Sequence, residues 1–148
     1  MPAAFGSEAI VQLLKALLKG CIAAVKGLGG FHLVCNALDD DAVLRLRQRK
    51  QRPHKPLAVM VGSLTAAAKL ADIGPEGSSI RALLCSPARP IVICPCRHPH
   101  DTLSPDTATI GLMLPSTPLH HVLFHPELCG GKAKDAPEAL VMTSGNPH

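Results

Sequence analysis

The stretch RLRQRKQRPHKPLAVMVGS, Arg45 to Ser63, changes character twice. It opens on cations, with Arg45, Arg49 and Arg52 at i, i+4 and i+7, the spacing of one helical face. Asp39-Asp40-Asp41 lies just upstream. Acid at the start and base at the end suit the macrodipole of a helix over roughly 40–51. Pro53 ends it. PLAVMVG is then a short continuous apolar run, the pattern of a buried strand. Ser63 caps an Ala-rich helix reaching about Ala71. Helix, buried strand and helix in immediate succession point to an α/β domain.

The flanks extend the pattern. Ser7 is placed to cap a helix over roughly 8–19, with Ile10, Leu13, Leu14, Leu17 and Leu18 on one stripe and Gly20 as its stop. CIAAVKG reads as a strand ending at Lys26, GLGG as a turn, and FHLVCNA as a second strand or an extended entry to the next helix. Downstream, GPEGSSIRALLCS reads as a helix with Pro75 in its first turn. RPIVICP, IGLMLP and EALVMTSGNP read as strands, and STPLHHVLF as a capped helix. Residues 95–109 and 125–138 read as exposed polar loops. Residues 1–148 are expected to form a single domain, a twisted open mixed sheet with flanking helices.

Composition narrows the function. The chain has 148 residues, 47% of them apolar, which excludes wholesale disorder. Its net charge of +4 is concentrated in the opening stretch rather than spread as in a general nucleic-acid binder. Three Phe with no Tyr or Trp leave few platforms for stacking single-stranded bases. No apolar run reaches the ~18 residues of a membrane span, and no signal peptide is evident. Several of the six cysteines sit inside apolar runs as small core residues, so a reducing cytoplasm is expected.

Five segments carry candidate chemistry. The basic stretch by charge alone is a solvated helix end. However, Pro53 and Pro56 stiffen the backbone around Lys55, and Lys50, Arg52 and Lys55 fall where a helix stops and a buried strand begins. Such a preorganised cluster suits phosphate, whereas Arg45, Arg47 and Arg49 are expected to be solvated or rim charges. KGLGGFH lacks the order of a P-loop and by itself is a tight turn. TSGN presents hydroxyl, amide and backbone N–H groups that suit an anion or its metal, or else makes an ordinary turn. Cys94, Cys96, His98 and His100 alternate in CPCRHPH; these are zinc-ligand types at an unusual spacing, interrupted by Pro95 and Pro99. His120 and His121 in PLHHVLF face different ways; one is a candidate general base, the other reading being a capping or partly buried role. There is no Ser-His-Asp order, no paired-carboxylate spacing and no H-E-x-x-H.

Taken in order, AAVKGLGGFHL, AVLRLRQRKQRPHKPLAVMV, SPARPIVI, GLMLPSTPLHHVLF and LVMTSGNP resemble the YrdC-like domain of the HypF carbamoyltransferases, over about residues 8–147. The resemblance implies a YrdC-like fold with a cationic cleft, ATP with Mg²⁺, and formation of a carbamoyl-adenylate from carbamoyl phosphate in nickel–iron hydrogenase maturation. It implies a partner protein with an acceptor thiol and no membrane. By similarity Lys50, Arg52 and Lys55 face the nucleotide phosphates. Ser144 and Asn146 close on the nucleotide, and Lys26, Gly29, Gly30 and His32 lie beside the small acyl group. Other branches of the fold imply an inactive nucleotide-binding remnant, a threonylcarbamoyl-adenylate synthase, or binding of double-stranded RNA. Ser116 stands where the family has Tyr. The family continues beyond GNP and has flanking domains, so the chain is expected to be a fragment or truncated relative.

Overall fold

The computed structural model describes residues 6–27 and 29–145. The opening stretch folds as its punctuation dictates. Helix α2 (Asp40–Lys50) starts where the Asp39 side chain accepts from Ala42 N at 3.1 Å, and stops at Gln51 in the left-handed region, φ 53°. Strand β3 (Val59–Val61) is buried along its length. Helix α3 (Leu64–Leu70) starts at Ser63, whose Oγ accepts from Ala66 N at 3.1 Å.

Around them lie α1 (Gly6–Leu18), β1 (Ala23–Lys26), β2 (Phe31–Asn36), α4 (Ser79–Leu84), β4 (Val92–Pro95), β5 (Thr109–Met113), α5 (Pro118–Phe124) and β6 (Ala139–Ser144). FHLVCNA, left open between strand and extended entry, is β2. The strand order is β1-β2-β6-β3-β5-β4. Among the described residues only the β3–β5 pair is parallel, so the sheet is open and mixed, as expected.

Alternation along the strands gives the sheet two apolar faces. On one, Val25, Val34, Met60, Leu140 and Met142 pack with Leu14 and Leu17 of α1 and Leu123 and Phe124 of α5. On the other, Cys35, Val59, Val61, Leu112 and Val141 pack with Val43 and Leu46 of α2, Leu70 of α3 and Leu84 of α4. No helix among the described residues is long and apolar enough to cross a membrane.

Three expectations need correction. Ser7 lies inside α1, which begins at Gly6, rather than capping it. Pro75 is not in the first turn of α4: Gly74 and Gly77 adopt left-handed backbone, φ +78° and +85°, and Ser78 caps the helix after them. Nor are the loops wholly exposed. His100, Leu103 and Ser104 are buried in the first, and Pro126 and Pro137 in the second, which also holds two short 3-10 turns at Pro126–Cys129 and Ala133–Asp135.

The thiols divide by layer. Burial, then the Asp39 carboxylate, push Cys35 up to about 12 against the opposing pull of Arg45. Burial and then Cys96 raise Cys94. Cys21 and Cys85 are exposed. A disulfide reagent at neutral pH is expected to modify Cys21 and Cys85 promptly and to reach Cys35 and Cys94 only in urea, because thiolate fraction and access both limit the reaction. Mass spectrometry of the modified peptides checks this order.

Candidate functional site

The inward stripe of α2 runs Val43, Leu46, Arg47, Lys50. Its last member, Lys50, is 5% exposed and donates from Nζ to the carbonyl of Ser144 at 2.6 Å. This joins the basic stretch to the end of β6. Burial lowers the Lys50 pKa, and the charges of Arg52 and Lys55 lower it further. Arg52 and Lys55 are therefore close enough for their charge to be felt at the Lys50 ammonium.

The end of β6 meets the glycine turn. Ser144 pairs with His32 across the β2–β6 ladder, and Gly145 N donates to Phe31 O at 2.8 Å. In the β1–β2 hairpin Lys26 pairs with Phe31, and Gly27 N donates to Gly30 O at 2.6 Å. The backbone demands fall at particular glycines. A Cβ on Gly27 would sit 2.6 Å from His32 Cδ2, one on Gly145 would sit 2.9 Å from Phe31 O, and Gly30 has φ +149°. Gly29 has open space around it. Lys26, Gly29, Gly30 and His32 thus lie at the same end of the sheet as Ser144 and Lys50. Asn146 lies outside the described residues.

Helix α5 adds a residue to this end. Thr117 caps it by accepting from His120 N at 3.2 Å. His120 Nδ1 in turn accepts from Ser116 N and Thr117 N, each at 3.4 Å. Acceptance at Nδ1 assigns the proton of the neutral ring to Nε2. Burial lowers the His120 pKa, followed by the influence of His32 and His121. His32 Nδ1 is itself buried without a hydrogen-bond partner among the described residues. The influence of His32 on His120 depends on α5 packing over the face of β2 that carries Val34, which no local sequence pattern contains.

Because the folded pKa of His120 lies below its ordinary 6.5, the unfolded chain takes up the proton first as pH falls. Stability should therefore decline as pH drops from 7 through 6.5 toward the lowered folded value. Urea midpoints measured between pH 7.5 and 5 should show this decline, and His120→Gln should flatten it.

Arg47 departs from its expected role as a solvated or rim charge. It is 5% exposed, and Nε donates to Thr102 O at 2.6 Å and Nη2 to Leu103 O at 3.0 Å. Nη1 donates to Arg52 O and to Lys55 O, both at 2.8 Å. Its position on the apolar stripe with Val43 and Leu46 was the sequence signal that marked it as inward. Arg49 is exposed, and Arg45, also exposed, donates to the carbonyl of Gly20.

The CPCRHPH residues are dispersed in environment. Cys94 is buried in the core, Cys96 is half-buried, and His100 Nε2 lies 2.8 Å from Leu70 O. Among the described residues no group of three His, Cys, Asp or Glu could hold a metal ion. A cavity of about 270 Å³ lined by Asp40, Leu70, His98, His100 and Thr102 opens elsewhere, at the start of α2. Lys50 is at the other end of that helix, about 15 Å away along its axis at 1.5 Å per residue.

The chain is similar to known proteins over most of its length. Residues 15–148 match the family profile Sua5_yciO_yrdC, described as Telomere recombination. The chain is 46% identical over 149 residues to carbamoyltransferase HypF2 of Cupriavidus necator, covering 95% of this chain and 18% of that protein. It is 48% identical over 138 residues to carbamoyltransferase HypF of Rhodobacter capsulatus, covering 92% and 17%. The chain therefore spans less than a fifth of the length of these relatives. A crystal structure of full-length HypF in a phosphate- and nucleotide-bound form superposes with a TM-score of 0.81 at 39% identity, covering 98% of this chain and 18% of that one. Sua5 of P. abyssi complexed with L-threonine shares the fold, with a TM-score of 0.76 at 20% identity over 97% of this chain and 40% of that one.

Proposed function

Because this chain belongs to the Sua5/YciO/YrdC family, we propose that it binds ATP and forms a carbamoyl-adenylate, as one domain of a carbamoyltransferase for nickel–iron hydrogenase maturation. The observation that carries this reading is the convergence of the basic stretch and the glycine turn on Ser144. Lys50 reaches its carbonyl at 2.6 Å, and His32 is its ladder partner. The identities with proteins named carbamoyltransferases favour the carbamoyl branch, and the nucleotide-bound HypF structure favours a nucleotide ligand.

In this reading Lys50, Arg52 and Lys55 hold the ATP phosphates, Ser144 and Asn146 close on the nucleotide, and Lys26, Gly29, Gly30 and His32 hold the carbamate. A carbamate oxygen attacks the α-phosphorus. The new O–P bond forms as the bond to the bridging oxygen breaks, and its electron pair leaves with pyrophosphate. Fixed cations stabilise the charge on the α-phosphoryl and on the leaving group, so no protein nucleophile is required. Lys50 suits this role because an ammonium has three donor hydrogens and its bond to Ser144 O orients the group. Mg²⁺ would be held chiefly through the substrate phosphates, beside the turn that begins at Ser144, and would neutralise phosphate charge. Hydrolysis of carbamoyl phosphate to carbamate, and passage of the carbamoyl group to a partner thiol, fall outside the residues assigned here. The cysteines, all free, favour a cytoplasmic setting.

Exchange of labelled pyrophosphate into ATP tests the reaction. The expected result is exchange that depends on ammonium bicarbonate, whose solutions contain carbamate. A folded chain that binds ATP but gives no carbamate-dependent exchange would remove the catalytic part of the proposal.

A further inference from the structure

A buried guanidinium normally meets a carboxylate. Arg47 meets none: its four hydrogen bonds all go to main-chain carbonyls, and no ion pair among the described residues includes it. Burial lowers its pKa. The four carbonyls come from two separate segments. Thr102 and Leu103 belong to the loop between β4 and β5, and Leu103 O also accepts from Leu57 N at 2.9 Å. Arg52 and Lys55 are two of the three cations of the proposed site, and the third, Lys50, follows Arg47 by one helical turn. One planar fork thus fixes the main chain at Arg52 and Lys55, while the helix that carries it fixes Lys50.

We propose that Arg47 is the positioning residue of the cationic cluster, setting the spacing of Lys50, Arg52 and Lys55 for a polyphosphate by holding the carbonyls of Arg52 and Lys55 against those of Thr102 and Leu103. This rests on the nucleotide reading above. Two physical consequences follow. Only the fork geometry of arginine spans four acceptors, so lysine, a single point charge, cannot replace it. Arg47 also contributes a positive charge with no carboxylate partner beneath the cluster, which favours the arrival of an anion over a neutral ligand.

The test is calorimetric titration of the full chain and of Arg47→Lys with ATP, ADP and AMP, each with Mg²⁺. Leu46→Ala, a buried neighbour on the same helix, serves as a destabilised control. The expected result is a loss of at least tenfold for ATP in Arg47→Lys, a smaller loss for ADP and little for AMP, with Leu46→Ala unchanged for all three. A purely structural role would lower all three alike, or would lower them equally in Leu46→Ala, and either result overturns the proposal. So does wild-type affinity in a folded Arg47→Lys, which leaves the nucleotide reading intact. A folded wild type that binds no nucleotide overturns both. Should Arg47→Lys fail to fold, ¹⁵N spectra of the wild type decide: the protected Arg47 Nε–H signal should shift on adding ATP and not on adding adenosine. An unshifted signal overturns the proposal.

Discussion

Replacing Lys50 and Arg52 together by alanine should weaken ATP–Mg²⁺ binding by about 10²–10⁴-fold. Hydrogen bonds to charged groups contribute about 1.5–3 kcal/mol each, and two such groups are lost. The double variant separates the inner cations from the rim. Lys50 is buried with its ammonium at the end of β6, and Arg52 is half-buried with its carbonyl held by Arg47. Arg49 is exposed, and Arg49→Ala should leave the affinity within a factor of about five, since the median exposed charge pair contributes about 0–1 kcal/mol. Lys50→Ala also strips a bond from the Ser144 carbonyl, so Arg52→Ala alone serves as the variant that leaves that junction in place. Titration calorimetry with circular dichroism on each variant reads the two effects apart. A double variant that folds and binds ATP as the wild type does would remove these cations from the site.

Leu140→Ala should cost about 2–5 kcal/mol of stability, the range for a leucine deleted from a packed core. Leu140 is fully buried in β6, where it pairs with Asn36 of β2 and Met60 of β3. It shares its cluster with Leu14, Leu17, Leu123 and Phe124, the side chains that fasten α1 and α5 to the sheet. Leu128, 67% exposed, is the contrast: Leu128→Ala should shift stability by no more than about 0.5 kcal/mol. Urea unfolding at pH 7.5 gives both values. A Leu140→Ala chain as stable as the wild type would contradict the placement of β6 at the centre of the sheet.

Local signals were readable because their causes are local. Asp39 and Ser63 announce helix starts through their own side chains, and VMV is buried on both faces because it sits between β6 and β5 with helices on each side. The division within the basic stretch was readable in part. Pro53 and Pro56 marked Lys50, Arg52 and Lys55 as rigidly placed. Counting charge nevertheless put Arg47 with Arg45 and Arg49, although its stripe with Val43, Leu46 and Lys50 pointed inward. What no local pattern contains is the order of the strands. β6, last in the chain, inserts between β2 and β3, and that insertion alone brings Ser144 to both Lys50 and His32. The start of α4 was misplaced for a different reason: two left-handed glycines outweigh the preference of Pro75 for a first turn.

In the proposed function the basic stretch, the glycine turn and the end of β6 form a single nucleotide site. Backbone NMR during titration with ATP–Mg²⁺ tests it most directly. Saturable shifts with a common affinity are expected at Gly27, Gly30 and His32, at Arg52 and Lys55, and at Ser144 and Gly145. Shifts confined to the cavity of Asp40, His98 and His100, or none in a folded chain, would contradict it.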